Sequence, residues 1–236
     1  MRFRIVPVVV FVVAAVPLLA QPTGTKSPRE ALQPFGDLVG AWKGTGNVVG
    51  PISDVQKNFW TEKMKWGWQF KGNDAWITVD FEKSKYFKSA VLRPVPGKDQ
   101  FTFTVTTLKK EKEQLVFVGE LREKVLTMER DDGKETQKLV LTMLHANRFL
   151  YRYEVKAEGR PLFSKKWQVG ASPDGVPFAA GDGAPVCVVS GGRGTSAVSF
   201  MGKTYYVCCS GCADEFRAKP AFYVKEFEDK LKAKKK

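Results

Sequence analysis

Histidine is nearly missing from this chain: His145 is the single one in 236 residues. A His-rich metal centre is therefore excluded, and no Ser-His-Asp set is present. The glycine-rich run Ser190-Gly191-Gly192-Arg193-Gly194-Thr195-Ser196 is not followed by Gly-Lys-Ser/Thr and a helix, so it is no phosphate loop. Carboxylates are plentiful, yet they alternate with lysines on expected strand exteriors and mark no acid–base pair. Between residues 35 and 170 there is no convincing helical period. The expectation is a protein that is not an enzyme.

Cysteine is absent from the first 186 residues, and then four fall within 26, at Cys187, Cys208, Cys209 and Cys212. Their spacing is Cys-x20-Cys-x3-Cys, with Cys209 beside the second member. A soft divalent ion, or copper(I), needs three or four thiolates converging on one point. A Cys-x3-Cys turn at a helix start can supply two, and about twenty residues of hairpin can return a third.

The words around these cysteines are Gly202-Lys203-Thr204-Tyr205-Tyr206 before the pair, then Ala213-Asp214-Glu215-Phe216 and Lys219-Pro220-Ala221-Phe222-Tyr223 after it. Over about residues 182–228 the pattern resembles the TRASH and YHS domains, small treble-clef-like modules associated with heavy-metal binding, sensing and trafficking. The resemblance implies Cys187, Cys208 and Cys212 as ligands of copper or zinc. It departs from the family in lacking the YHS histidine and in carrying Val188 where proline, glycine or methionine is common. Cys209 is then either the fourth ligand or a spare thiol.

The N-terminus reads as a signal peptide over residues 1–20: Arg2 and Arg4, the apolar run Ile5 to Leu19, and Leu18-Leu19-Ala20 before Gln21. The run is short and holds Pro7 and Pro17, so no stable membrane span is expected in the mature chain. Export, to a periplasmic or extracellular site, also raises the prospect of a disulfide from Cys187 to a later cysteine. Net charge is +13, with a lysine-rich end at Lys230 to Lys236 that suits a frayed helix C-terminus; no nucleic acid partner is expected. Pro22, Pro28, Pro34, Gly24 and Ser27 read as a linker over 21–34, and the Pro/Gly/Asp-rich stretch 171–184 as a second one.

From 35 to 170 the signal is short alternation, as in Trp76 to Phe81, Phe101 to Thr106, Leu115 to Leu121 and Phe149 to Val155. Turn clusters such as Asp131-Asp132-Gly133-Lys134 separate the runs. The reading is mainly β: an antiparallel up-and-down β-barrel of about 9–10 strands, then a small α+β treble-clef-like module over 185–232. The opening Gly40-Ala41-Trp42 resembles the Gly-x-Trp start of lipocalin-like barrels, in which the tryptophan plugs one end. Phe59, Trp60, Trp66, Trp68, Phe70 and Trp76 are either plain core or the lining of a cavity for a small apolar ligand. Related ten-stranded barrels bind haem through a histidine; His145, expected in a turn, reads as a surface residue instead.

In the module the chain predicts a hairpin, Ala197 to Phe200 and Thr204 to Val207, then a helix from Ala213 to Ala218. Asp214 and Glu215 fall in its first turn. A second helix from Pro220 carries Phe222, Phe227 and Leu231 on its inner face. The leading expectation is metal buffering, delivery or sensing. The alternatives are a barrel carrier with a structural cysteine module, and a thiol oxidoreductase using Cys209 and Cys212.

Overall fold

The computed structural model describes residues 26–108, 113–145, 147–175 and 185–233. The expected signal peptide at 1–20, residues 21–25 of the expected first linker, residues 176–184 of the expected second and the last three lysines lie outside the described residues. Among the described residues no helix is long and apolar enough to cross a membrane.

Ten antiparallel strands form a closed barrel in simple meander order. They are β1 (Gly40–Val48), β2 (Trp60–Lys71), β3 (Asp74–Glu82), β4 (Phe87–Pro94), β5 (Phe101–Thr107), β6 (Gln114–Arg122), β7 (Val125–Asp131), β8 (Glu135–His145), β9 (Arg148–Ala157) and β10 (Ser164–Pro173). Closure comes from β1 pairing with both β2 and β10, so no edge strand is left in the barrel. Alternation does what it predicts: Ala75, Ile77 and Val79 of β3 and Phe101, Phe103 and Val105 of β5 point inward and are buried. The Asp131–Lys134 turn forms with Gly133 at φ +85°, and Asp131 and Asp132 accept backbone N–H bonds across it. His145 is the last residue of β8, paired with Arg148.

Two helical pieces correct the sequence reading. The stretch read as a linker forms α1 (Pro28–Leu32) and a 3-10 turn (Gln33–Leu38). Pro28 and Pro34 sit near helix starts, where a missing N–H is harmless, and Ser27 and Glu30 make a capping box. Leu32, Phe35 and Leu38 are buried, and Phe35 meets Phe101 edge to face at 5.1 Å. This plug closes one barrel end. Trp42 is held beneath it, donating from Nε1 to the Leu38 carbonyl at 2.6 Å. A short α2 (Ile52–Lys57) also interrupts the β1–β2 connection, where no helix is expected.

The other end is closed by aromatics around a buried acid. Gly44 and Gly46 face inward on β1, and any Cβ at Gly46 would strike the Trp60 ring at 2.2 Å, so glycine makes the room for Trp60. Tyr86 stacks on Trp167 at 4.6 Å, and Tyr153 stacks on it at 5.5 Å. Glu62, 2% exposed, accepts from Trp60 Nε1 at 2.8 Å and from the Tyr151 hydroxyl. Burial, and then the Glu62 charge, push the Tyr151 phenol well above its ordinary pKa, so it stays a donor. Glu62→Ala would strand both donors and is expected to lower stability by about 3 kcal/mol, with Glu62→Gln losing roughly half as much. Urea unfolding midpoints measure this; a loss under about 1 kcal/mol for Glu62→Ala would mean other acceptors take over.

The six aromatics do not make one wall. Phe59 is 64% exposed, and the Arg93 guanidinium lies 4.1 Å over the Trp76 ring on the outer face. Trp68 and Phe70 stack on each other at 5.6 Å. Of the six, Trp66 alone lines the apolar cavity of about 20 Å³ found among the described barrel residues, which is otherwise lined by residues such as Met64, Phe103, Met128 and Tyr151. That holds about one water.

Candidate metal centre

The C-terminal module packs on the plugged end of the barrel, and the buried core runs without a break from Leu32 and Phe35 to Val188, Val189 and Phe216. Its hairpin is β11 (Ser196–Phe200) with β12 (Lys203–Val207), turned by Met201 and Gly202 at φ +48° and +75°. Then come α3 (Ser210–Ala218) and α4 (Pro220–Ala233). Helix α3 begins three residues earlier than its sequence suggests, which puts Cys212 in its first turn, Cys209 at the N-cap, and Asp214 and Glu215 beyond the first turn. On α4 the inward side is Tyr223 with Val224 and Phe227, while Phe222 and Leu231 are exposed. The contacts of Tyr223 set that rotation: its hydroxyl donates to Glu215 at 2.7 Å, and the Arg29 guanidinium lies over its ring at 5.3 Å.

Two close backbone approaches seat the module. A Cβ on Gly192 would lie 2.5 Å from the Gly36 carbonyl oxygen of the plug, and one on Gly211 would lie 1.8 Å from the Trp68 carbonyl oxygen of β2. Around them Gln33 Nε2 donates to the Ser190 carbonyl at 3.2 Å, and Arg29 pairs with Glu226. These glycines look like loop residues in sequence. Their service is proximity.

Cys187, Cys208 and Cys212 converge as the spacing predicts. Their Sγ atoms lie within 4.8 Å of one another, the Cys208–Cys212 pair at 3.4 Å, and all three residues are buried. No disulfide joins any of the four cysteines. Sulfurs sharing one ion at the usual zinc–sulfur bond length sit about 3.8 Å apart, so small adjustments would let the triad grip a soft cation. Cys187 comes from a loop bridged to Tyr206, Cys208 directly follows β12, and Cys212 lies on α3. Cys209 stands apart: half-buried, its Sγ 3.9 Å from that of Cys208.

The sequence offered no role for Ser190, and the structure gives it one. It is 2% exposed, its N–H donates to Cys187 Sγ at 3.4 Å, and its Oγ lies 3.3 Å from Cys208 Sγ. The glycine pair after it lets the loop double back, with the Gly191 N–H on the Cys187 carbonyl and the Cys187 N–H on the Gly192 carbonyl. Its place three residues after Cys187 and directly before Gly191-Gly192 is the available sequence signal. Such a contact orients a ligand and spreads the charge of a thiolate.

Protons are divided unequally among the thiols. Hydrogen bonds from the Cys208 and Cys212 thiols, with help from Ser190, hold Cys187 far below an ordinary thiol. Cys209 is lowered to about 3 by the Cys208 thiol first, then the Cys212 thiol, with the Cys212 and Trp68 backbone adding to them. The bond to Cys187 pushes Cys208 up, and burial pushes Cys212 up. The hydrogen bonds and burial therefore favour the anion at Cys187 and Cys209 and the thiol at Cys208 and Cys212.

No family model matches this chain, and no curated protein matches it. Among solved structures it is similar to one described as "Structure of EF1p2_mFAP2b bound to DFHBI". The identity is 12%, the match covers 62% of this chain and 99% of that one, and the TM-score is 0.26.

Proposed function

We propose that this chain is an exported, non-enzymatic metal-binding protein whose Cys187, Cys208 and Cys212 hold copper(I) or zinc for buffering, delivery or sensing. The observation that carries the reading is the convergence of three buried, unbridged sulfurs within 4.8 Å. Three thiolates satisfy trigonal copper(I) directly, whereas zinc needs a fourth donor, either Cys209 or water. The TRASH/YHS-like words around the cysteines support the reading, and the basic, apolar stretch at residues 1–20 supports export. A carrier role has less behind it, because the apolar cavity described inside the barrel has a volume of about 20 Å³.

Metal content and free thiols, measured on protein purified without added metal or reductant, test the proposal. About one zinc or copper per chain is the expected result. No ion, together with two missing thiols, would overturn it in favour of a disulfide. Loading should also expel protons, because the bond to Cys187 and burial favour the protonated forms of Cys208 and Cys212, and a bound thiolate carries none. At least about one proton per ion should leave, and two where Cys209 stays ionised, so affinity falls tenfold or more per pH unit of acidification near neutrality. Titration in buffers of different protonation enthalpy counts them, and a count of zero would contradict the assignment.

A further inference from the structure

The three ligands that converge are the three that solvent does not reach. Cys187 and Cys212 are 0% exposed and Cys208 is 4% exposed. A donor molecule carrying a soft ion therefore has no sulfur of the triad to touch. Cys209 is the one half-buried residue of the four cysteines. Its Sγ lies 3.9 Å from Cys208 Sγ, close to the separation of about 3.8 Å that two sulfurs adopt on one ion. Cys208 Sγ in turn lies 3.4 Å from Cys212 Sγ. The sulfurs form a short file from the surface inward.

We propose that Cys209 is the transfer ligand of this site: the sulfur that takes copper(I) from a thiolate-bearing donor and passes it to the buried triad. This rests on the metal-binding reading above and goes beyond it, because it assigns the route rather than the resting place. In the first step a bond forms between copper and Cys209 Sγ while one copper–donor bond breaks, and the departing donor takes up a proton. Next copper bonds to Cys208 Sγ, with Cys209 still attached, and the second donor bond breaks. Bonds to Cys212 and Cys187 follow, Cys209 lets go, and the thiol protons pass to water. Copper stays in the +1 state throughout, so no oxidant or reductant is needed. Release runs backwards along the same file.

Position supports the assignment as much as distance does. Cys209 is the N-cap of α3, which fixes its sulfur at the start of that helix beside Cys208 and Cys212. It is held at the seam between α3 and β2 by the Trp68 backbone, beside the Gly211 contact. A fixed sulfur at a seam can meet a partner without the buried triad opening.

The test is Cys209→Ser in the full chain, with Cys187→Ser as reference, using copper(I) bicinchoninate without oxygen. Serine is a preferred N-cap, so the start of α3 should be retained. Stopped-flow uptake and chelator-driven release should both slow by about tenfold or more, with equilibrium affinity within about twofold of the parent. Unchanged rates would overturn the proposal and leave Cys209 a spare thiol. An affinity loss as large as that of Cys187→Ser would also overturn it, making Cys209 a resident ligand. A parent chain that takes up no copper(I) would instead remove the metal-binding reading itself.

Discussion

Cys212→Ser is expected to lower metal affinity by roughly 100- to 1,000-fold, since each thiolate supplies about 3–4 kcal/mol of the binding energy of a structural thiolate site. Cys212 is fully buried in the first turn of α3, and a serine hydroxyl in its place offers a soft ion a poor donor. Cys208→Ser should behave alike, because both residues stand 3.4 Å apart on the same small cluster. Competition with a chromophoric chelator measures the loss. Metal-induced stabilisation should vanish in parallel, since an ion that binds only the folded chain raises its stability by mass action. A variant within about threefold of the parent would show that the triad is not the site.

Gly211→Ala is the second large effect, and it acts through the backbone alone. A methyl group there would sit 1.8 Å from the Trp68 carbonyl oxygen. That atom belongs to a barrel strand and has little freedom to move away, so α3 must lift from β2 instead. A loss of about 3 kcal/mol or more is expected, which for a chain of this size lowers the melting temperature by several degrees. Metal affinity should fall with it, because Cys209 and Cys212 flank the displaced residue. Gly67→Ala on the same strand is the control: the nearest atom to its new methyl is Thr78 Oγ1 at 3.8 Å, an ordinary contact. Thermal unfolding that treats both substitutions equally would refute a tight seat at Gly211.

The barrel was legible because two-residue alternation is a property of each strand by itself. Phe101, Phe103 and Val105 announce an inward face with no knowledge of their partners. The cysteine triad was legible for a similar reason, since Cys-x20-Cys-x3-Cys fits a hairpin and a helix start. The plug was not. Leu32, Phe35 and Leu38 recur every third residue across a junction between α and 3-10 geometry, but the run is too short to announce a helix, and the surrounding prolines suggest a linker. The start of α3 was misplaced because Cys209-Ser210-Gly211 has the composition of a turn. The seating of the module was hidden altogether. Gly36 against Gly192 and Gly211 against Trp68 are matches between distant backbones, and a glycine carries no mark of what lies opposite it.

The closure of the barrel also orders events in time. Strand β1 pairs with β10, more than a hundred residues later, and Arg29 reaches Glu226, 197 residues away. Contacts between such distant partners form slowly, because the intervening chain must be gathered first. The cysteines are also synthesised after every strand of the barrel. Until β10 zips onto β1 and the plug is in place, there is no platform for α3 to settle on, and all four thiols face the surroundings. The centre is therefore expected to form late in folding. Its vulnerable period is that interval, when an oxidant can reach sulfurs that the finished molecule shuts away.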